Sequence, residues 1–141
     1  MRPVAPRRDR GGMPTSAHDP ADSTRPTRIL IIDDHEISRA AYRALLRTEG
    51  LDVIADVAAD GQALPAARAL RPDVAIVDVA PAASAGFGIA DELLALPAPP
   101  VVILTSSADR AQFGAGLSGH RFIGKAGLCA AAIARLAGDI V

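Results

Sequence analysis

From Arg28 onward, short aliphatic runs alternate with longer stretches of helical period, and this alternation leaves few folds open. Strand-like runs are 28–32, 52–56, 73–77, 100–104 and 121–123; helix-like runs are about 35–48, 61–70, 86–95, 109–117 and 126–137. Five strand–helix units in this order predict an α/β fold with a parallel sheet covered by helices on both faces. Right-handed crossovers make such a sheet doubly wound. Its ligands bind at the carboxyl ends of the strands.

The first run, Ile29 to Ile32, is four branched aliphatic residues in succession, which suits a strand buried on both faces. In the helix-like run after it, Ile37, Ala40, Ala41, Ala44, Leu45 and Thr48 recur at helical spacing. Arg39, Arg43 and Arg47 lie on another face. Asp34 can cap the start of that helix, and Gly50 sits just past its end. Pro65 should shorten or kink the second helix. Gly114 and Gly116 fall in the fourth and should leave it marginal, since each costs up to ~1 kcal/mol relative to alanine.

Half of the residues are hydrophobic but only 3% are aromatic, so aliphatic side chains must do most of the packing. The 15 basic and 16 acidic residues leave a net charge of −1, too little to draw the whole chain to nucleic acid or an anionic membrane. No direct nucleic-acid contact is expected. No apolar run approaches the ~20 residues that span a bilayer. The single cysteine, Cys129, precludes an internal disulfide framework, fits a cytoplasmic setting and reads as a packed thiol. Residues 1–27, rich in Pro, Gly, Ser, Arg and Asp, read as a disordered tail; residues 28–141 form the folded domain. The true start could be Met1 or Met13.

The residues just past the strands carry the chemistry. Asp33 and Asp34 follow the first, Asp78 ends the third, Thr105 and Ser106 follow the fourth, and Lys125 follows the fifth. Taken singly, each has an ordinary reading: helix caps, a polar strand end, a surface charge. Lys125, however, is the only lysine, and every other basic side chain is arginine. Three carboxylates at one edge repel one another, and a divalent cation removes that conflict. Magnesium prefers oxygen ligands and commonly bridges carboxylates to a phosphoryl group. Asp78 could then act as a carboxylate nucleophile toward phosphorus, with Lys125 and Thr105 neutralising and hydrogen-bonding the phosphoryl oxygens.

Read together, "IIDDHE", "RPDVAIVD", Gly86 eight residues past Asp78, "VVILTSS" and "FIGK" resemble the CheY-like receiver domain of bacterial two-component response regulators. The resemblance covers about Arg28 to Leu136. "DDH" followed by "RAAYRALL" most resembles receivers that precede a helix-turn-helix DNA-binding domain. The resemblance implies a flavodoxin-like five-stranded parallel sheet of order 2-1-3-4-5 with five helices. It implies Asp78 as phosphoacceptor, Asp33 and Asp34 as the magnesium-binding pair with Asp34 the direct ligand, and the Ala80 carbonyl as a further metal contact. Thr105 matches the switch hydroxyl, Lys125 the phosphate-sensing lysine, and Phe122 the aromatic ring that changes rotamer. Two positions depart from the family pattern: Pro81 is third after Asp78, where the family often has an apolar residue and then proline at the fourth, and Ala126 follows Lys125 where many members have proline; Arg121 stands where a small residue is common.

These features predict a stand-alone switch, phosphorylated by a histidine kinase or phosphotransfer protein. A monomer or weak homodimer would signal through its fourth helix, fifth strand and fifth helix. The rival readings are a degenerate receiver that binds constitutively, a receiver cut from a DNA-binding regulator, and a flavodoxin-like carrier. The last lacks a glycine-rich phosphate loop after the first strand. His18, His35 and His120 lack metal-ligand spacing.

Overall fold

The computed structural model describes residues 25–82 and 84–138. The elements run β1 (Arg28–Ile32), α1 (Glu36–Thr48), β2 (Asp52–Val57), α2 (Ala63–Leu70), β3 (Val74–Asp78), α3 (Ala85–Leu94), β4 (Val101–Ser106), β5 (Arg121–Gly124) and α4 (Ala130–Ala137). Short 3-10 turns occupy Arg110–Phe113 and Lys125–Gly127. The five strands form one sheet of order β2-β1-β3-β4-β5, and every pairing is parallel. This is the flavodoxin-like architecture expected.

Strand side chains alternate between faces, which gives the sheet two apolar layers. Leu30, Ile32, Val77 and Leu104 pack with Ala63, Ala67, Ile89 and Leu93 on the side of α2 and α3. Ile29, Ile31, Ile76 and Ile103 pack with Leu46 of α1 and Ile133 of α4 on the other. All fourteen are buried.

The expected fourth helix is missing: among the described residues there are four α-helices, not five. The run at 109–117 makes only the 3-10 turn Arg110–Phe113, opened by a reciprocal cap between Asp109 and Gln112. Gly114 and Gly119 then take φ of +55° and +81°, left-handed conformations that suit glycine and end helical propagation. The last helix begins at Ala130 rather than 126, because the 3-10 turn at Lys125–Gly127 comes first. Cys129 is therefore its half-buried N-cap residue, not a thiol packed within the helix. Pro65 sits in the first turn of α2, where a missing N–H does no harm.

α1 is turned opposite to its sequence pattern. An apolar stripe ordinarily faces the core, yet Ile37 is 87% exposed and Leu45 40%, and Ala40, Ala41 and Ala44 are exposed between them. The inward side carries Ser38, Arg39, Tyr42, Arg43 and the fully buried Leu46. Asp56 on β2 explains the reversal. It accepts from Arg39 Nε at 3.3 Å and Arg43 Nη1 at 2.5 Å, while Arg39 Nη1 donates to the Asp33 carbonyl at 2.7 Å. Arginine stems can cover apolar surface while their heads pair at the rim.

The expected tail falls mostly on residues 1–24, outside the described residues. Arg25 and Thr27 touch the folded body, through the Asp73 carboxylate at 3.4 Å and the Asp52 amide at 2.9 Å.

Candidate functional site

β1, β3, β4 and β5 deliver their C-terminal residues to one edge of the sheet. Lys125 and Asp33, 92 positions apart in sequence, meet there: Lys125 Nζ donates to Asp33 Oδ2 at 3.0 Å. The same nitrogen lies 3.1 Å from Asp78 Oδ1. The ammonium thus bridges two carboxylates, with the Lys125 side chain 11% exposed and those of Asp33 and Asp78 3% and 16%. Thr105 is paired beside Asp78 in the sheet. Its hydroxyl oxygen is buried and has no hydrogen-bond partner among the described residues.

Asp33 is held from several sides. Its Oδ1 accepts the His35 amide at 2.8 Å and faces His35 Nδ1 at 3.0 Å, and its own amide donates to the Val57 carbonyl at 2.9 Å. Asp34 goes elsewhere. It is exposed, does not cap α1, and accepts the Ala59 amide at 2.7 Å, tying down the loop after β2. Ala80 is exposed in the loop past Asp78. Val79 before it is buried and donates its amide to the Thr105 carbonyl at 2.9 Å. Ser106 caps its own bend, accepting the Ala108 amide at 3.1 Å.

Gly86, in the first turn of α3, lies against the end of β3. A Cβ there would collide with the Asp78 carbonyl oxygen and come within 2.9 Å of Val79 Cγ1. Glycine lets the helix close onto the backbone beside Asp78.

The electrostatics follow from this crowding. Burial pushes the Asp78 carboxyl above its ordinary pKa; the hydrogen bond from Lys125 opposes the rise, and the Asp33 charge adds to it. Burial pulls the Lys125 ammonium downward, but its bonds to Asp33 and Asp78 and their charges win, and its pKa is raised.

Sequence reasoning missed two neighbours. His35 is the N-cap residue of α1, and its Nδ1 stands 3.8 Å from Asp78 Oδ2. Asp33, His35 and Asp78 offer donor atoms within 4.8 Å of one another. The signal was adjacency to the aspartate pair. Tyr42 Oη donates to the Lys125 carbonyl at 3.3 Å. Burial raises its phenol pKa, Lys125 lowers it, and Asp33 and Asp78 raise it; only its place on the arginine face of α1 hinted at this.

Phe122 is buried, its ring 5.7 Å from that of Phe113 and 5.1 Å from the Arg110 guanidinium. Arg121 donates to the Leu136 carbonyl at 2.7 Å, fastening β5 to α4.

The "Response regulator receiver domain" family matches residues 29–126. The chain belongs to that family. A protein-glutamate methylesterase/protein-glutamine glutaminase of Anaeromyxobacter dehalogenans is 39% identical over 67% of the chain and 28% of its own length. The transcriptional regulatory protein PdtaR of Mycobacterium tuberculosis is 34% identical over 64% of the chain and 44% of its own length. The chain thus spans less than half of either relative. Among solved structures, the signal receiver domain of a modulated diguanylate cyclase from Desulfovibrio desulfuricans superposes with a TM-score of 0.61 at 28% identity, covering 79% of this chain and 90% of that one. The response regulator domain of Thermotoga maritima CheB gives 0.56 at 27%, covering 71% and 78%. This receiver therefore places its acidic pocket where its fold binds ligands. No helix among the described residues is long and apolar enough to cross a membrane.

Proposed function

We propose that this receiver accepts a phosphoryl group on Asp78 from a histidine kinase or phosphotransfer protein, in the cytoplasm, and signals through protein contacts. The observation that carries the reading is the Lys125 ammonium 3.1 Å from Asp78 Oδ1 beside the buried, unpartnered Thr105 hydroxyl. An Asp78 oxygen attacks phosphorus, the donor's bond to phosphorus breaks, and an acyl phosphate forms. Lys125 neutralises charge on the phosphoryl oxygens, and the Thr105 hydroxyl donates to one of them. Its missing partner in the resting protein fits that later use.

Oxygen donors crowded around one point suit magnesium. Asp33 and Asp78 would hold it with the Ala80 carbonyl; Asp34, whose Oδ1 accepts the Ala59 amide, would join through a carboxylate oxygen. Bound there, the ion would offset the repulsion between carboxylates and phosphoryl oxygens.

The partner-reading face is the 3-10 turn at Arg110–Phe113 with β5 and α4. A segment this short and glycine-punctuated suits two arrangements of similar energy, with Phe122 packed against it.

Mass spectrometry after acetyl phosphate treatment with magnesium tests this. One acid-labile phosphoryl group is expected on the wild type and none on Asp78→Asn; undiminished labelling of that variant overturns the assignment. A second reading, a constitutive binding module, is favoured by the Lys125 bridge, which already ties Asp33 to Asp78 and offsets one of their two charges. A magnesium titration without any spectroscopic response, with or without beryllofluoride, would select it.

A further inference from the structure

β1 and β2 run side by side as a parallel ladder as far as Ile32 and Val57. The Asp33 amide carries the ladder one bond further, donating to the Val57 carbonyl at 2.9 Å. In a continued parallel ladder the Asp33 carbonyl would next accept the Ala59 amide. That amide goes instead to the Asp34 carboxylate at 2.7 Å. The Asp33 carbonyl belongs to a residue only 2% exposed and needs another donor. Arg39 supplies it through Nη1 at 2.7 Å.

Arg39 is itself fixed at both ends. Its amide donates to the His35 carbonyl at 2.9 Å, in the first turn of α1. Its Nε donates to Oδ1 of Asp56, the residue before Val57, at 3.3 Å. Both polar backbone atoms of Asp33 are thus referred to neighbouring residues of β2, one directly and one through a guanidinium. A guanidinium is planar and presents its N–H groups at fixed angles. Its two contacts therefore set the Asp33 peptide against Asp56. From that peptide the Asp33 carboxylate reaches Lys125, which joins it to Asp78.

α1 keeps this arrangement against its own apolar pattern. Turning Arg39 and Arg43 inward leaves Ile37 87% exposed and Leu45 40%, apolar surface that burial would have favoured. The two arginines differ in what they reach. Arg43 ends on Asp56 Oδ2 at 2.5 Å and makes no bond to the pocket among the described residues. Arg39 alone of the two links this charge cluster to Asp33.

We propose that Arg39, braced by Asp56, is a positioning residue that holds the Asp33 carboxylate against Lys125 and Asp78 and so tunes the pocket for its ion. The clause about the ion rests on the reading of Asp33 and Asp78 given above. A carboxylate on β2, outside the cleft, thereby governs how well the cleft binds.

Two NMR measurements on the full chain test this. The chain has one lysine, so its ammonium gives a single side-chain signal, which reports the bond to Asp33 with no ion present. Arg39→Met should shift or broaden that signal. It should also weaken magnesium binding, followed by amide shifts, about tenfold, as loss of a group that orients a metal ligand does. Arg43→Met is the control for stability alone: it should lower the melting temperature yet keep the lysine signal and the magnesium affinity of the wild type. Asp56→Asn preserves shape and should lose part of the affinity; added to Arg39→Met it should lose no more, because the two residues act as one unit. Should Arg39→Met not fold, Asp56→Asn carries the same test. Wild-type signal and affinity in these variants, an equal effect of Arg43→Met, or losses that add in the double variant overturn the proposal. A wild type that takes up no magnesium overturns the reading of the pocket but not the clamp, which the ion-free lysine signal decides.

Discussion

On the β1–β3 side of the pocket the charged groups are mutually engaged: Lys125 bridges Asp33 and Asp78, and Asp33 is further held by the His35 amide. On the β4 side the Thr105 hydroxyl is buried with no partner among the described residues, and the chain beyond it forms a brief 3-10 turn in place of a helix. One wall is an electrostatic lock, closed in the resting state. The other keeps an unmet hydrogen-bonding capacity at the end of β4. Breaking the lock should weaken the protein, whereas relieving the unmet hydroxyl should strengthen it.

The largest effect is expected for Lys125→Met, which leaves a buried and a half-buried carboxylate facing each other. About 2–4 kcal/mol of stability should be lost at pH 7, as when one member of a buried ion pair is removed. Urea unfolding measures it. Because the folded Lys125 pKa is raised, its contribution is whole below the unfolded lysine pKa, near ~10.4, and disappears as pH climbs through the folded value. In acid the gap between variant and wild type should narrow as the carboxylates protonate.

Thr105→Val probes the other wall. The shapes match, and removing a buried hydroxyl that lacks a partner should stabilise the resting protein by about 1 kcal/mol, seen as a higher melting temperature. A loss of stability instead would mean that the hydroxyl is satisfied, and the contrast between the walls would disappear.

Asp78→Asn gives the smallest effect and the clearest pH signature. The folded pKa of Asp78 is raised, so its contribution favours folding below the unfolded carboxyl pKa of ~3.9 and is lost as pH rises through the folded value. At neutral pH the ionised group opposes folding. The variant should gain roughly 0.5–1 kcal/mol at pH 7, on the scale of a partly screened charge conflict, and nothing below about pH 4. Stability curves against pH for both proteins check the sign.

Much of this was legible in the sequence because a parallel sheet turns strand order into spatial convergence. Once Ile29–Ile32 and Val74–Val77 read as strands, Asp33 and Asp78 had to share an edge, and the lone lysine after β5 had to face them. What could not be read were choices made between elements. Periodicity reveals that α1 has an apolar stripe but not which side meets the sheet; Asp56, on β2, decides that by drawing Arg39 and Arg43 inward. Adjacent aspartates look equivalent on paper. At the end of a strand they point to different sides, so Asp33 enters the pocket while Asp34 anchors the next loop. The weakness of the 109–117 run was visible in Gly114 and Gly116, but its reduction to a 3-10 turn depends on the left-handed backbone at Gly114 and Gly119.

Tyr42 has a practical consequence. The chain contains one tyrosine and no tryptophan, and that tyrosine touches the Lys125 backbone through its hydroxyl. All intrinsic ultraviolet emission above that of phenylalanine must therefore originate from a single fluorophore at the rim of the acidic cleft. The protein comes with its own optical reporter, and a change in brightness on adding an ion or phosphate mimic would register occupancy of that cleft without any engineered dye.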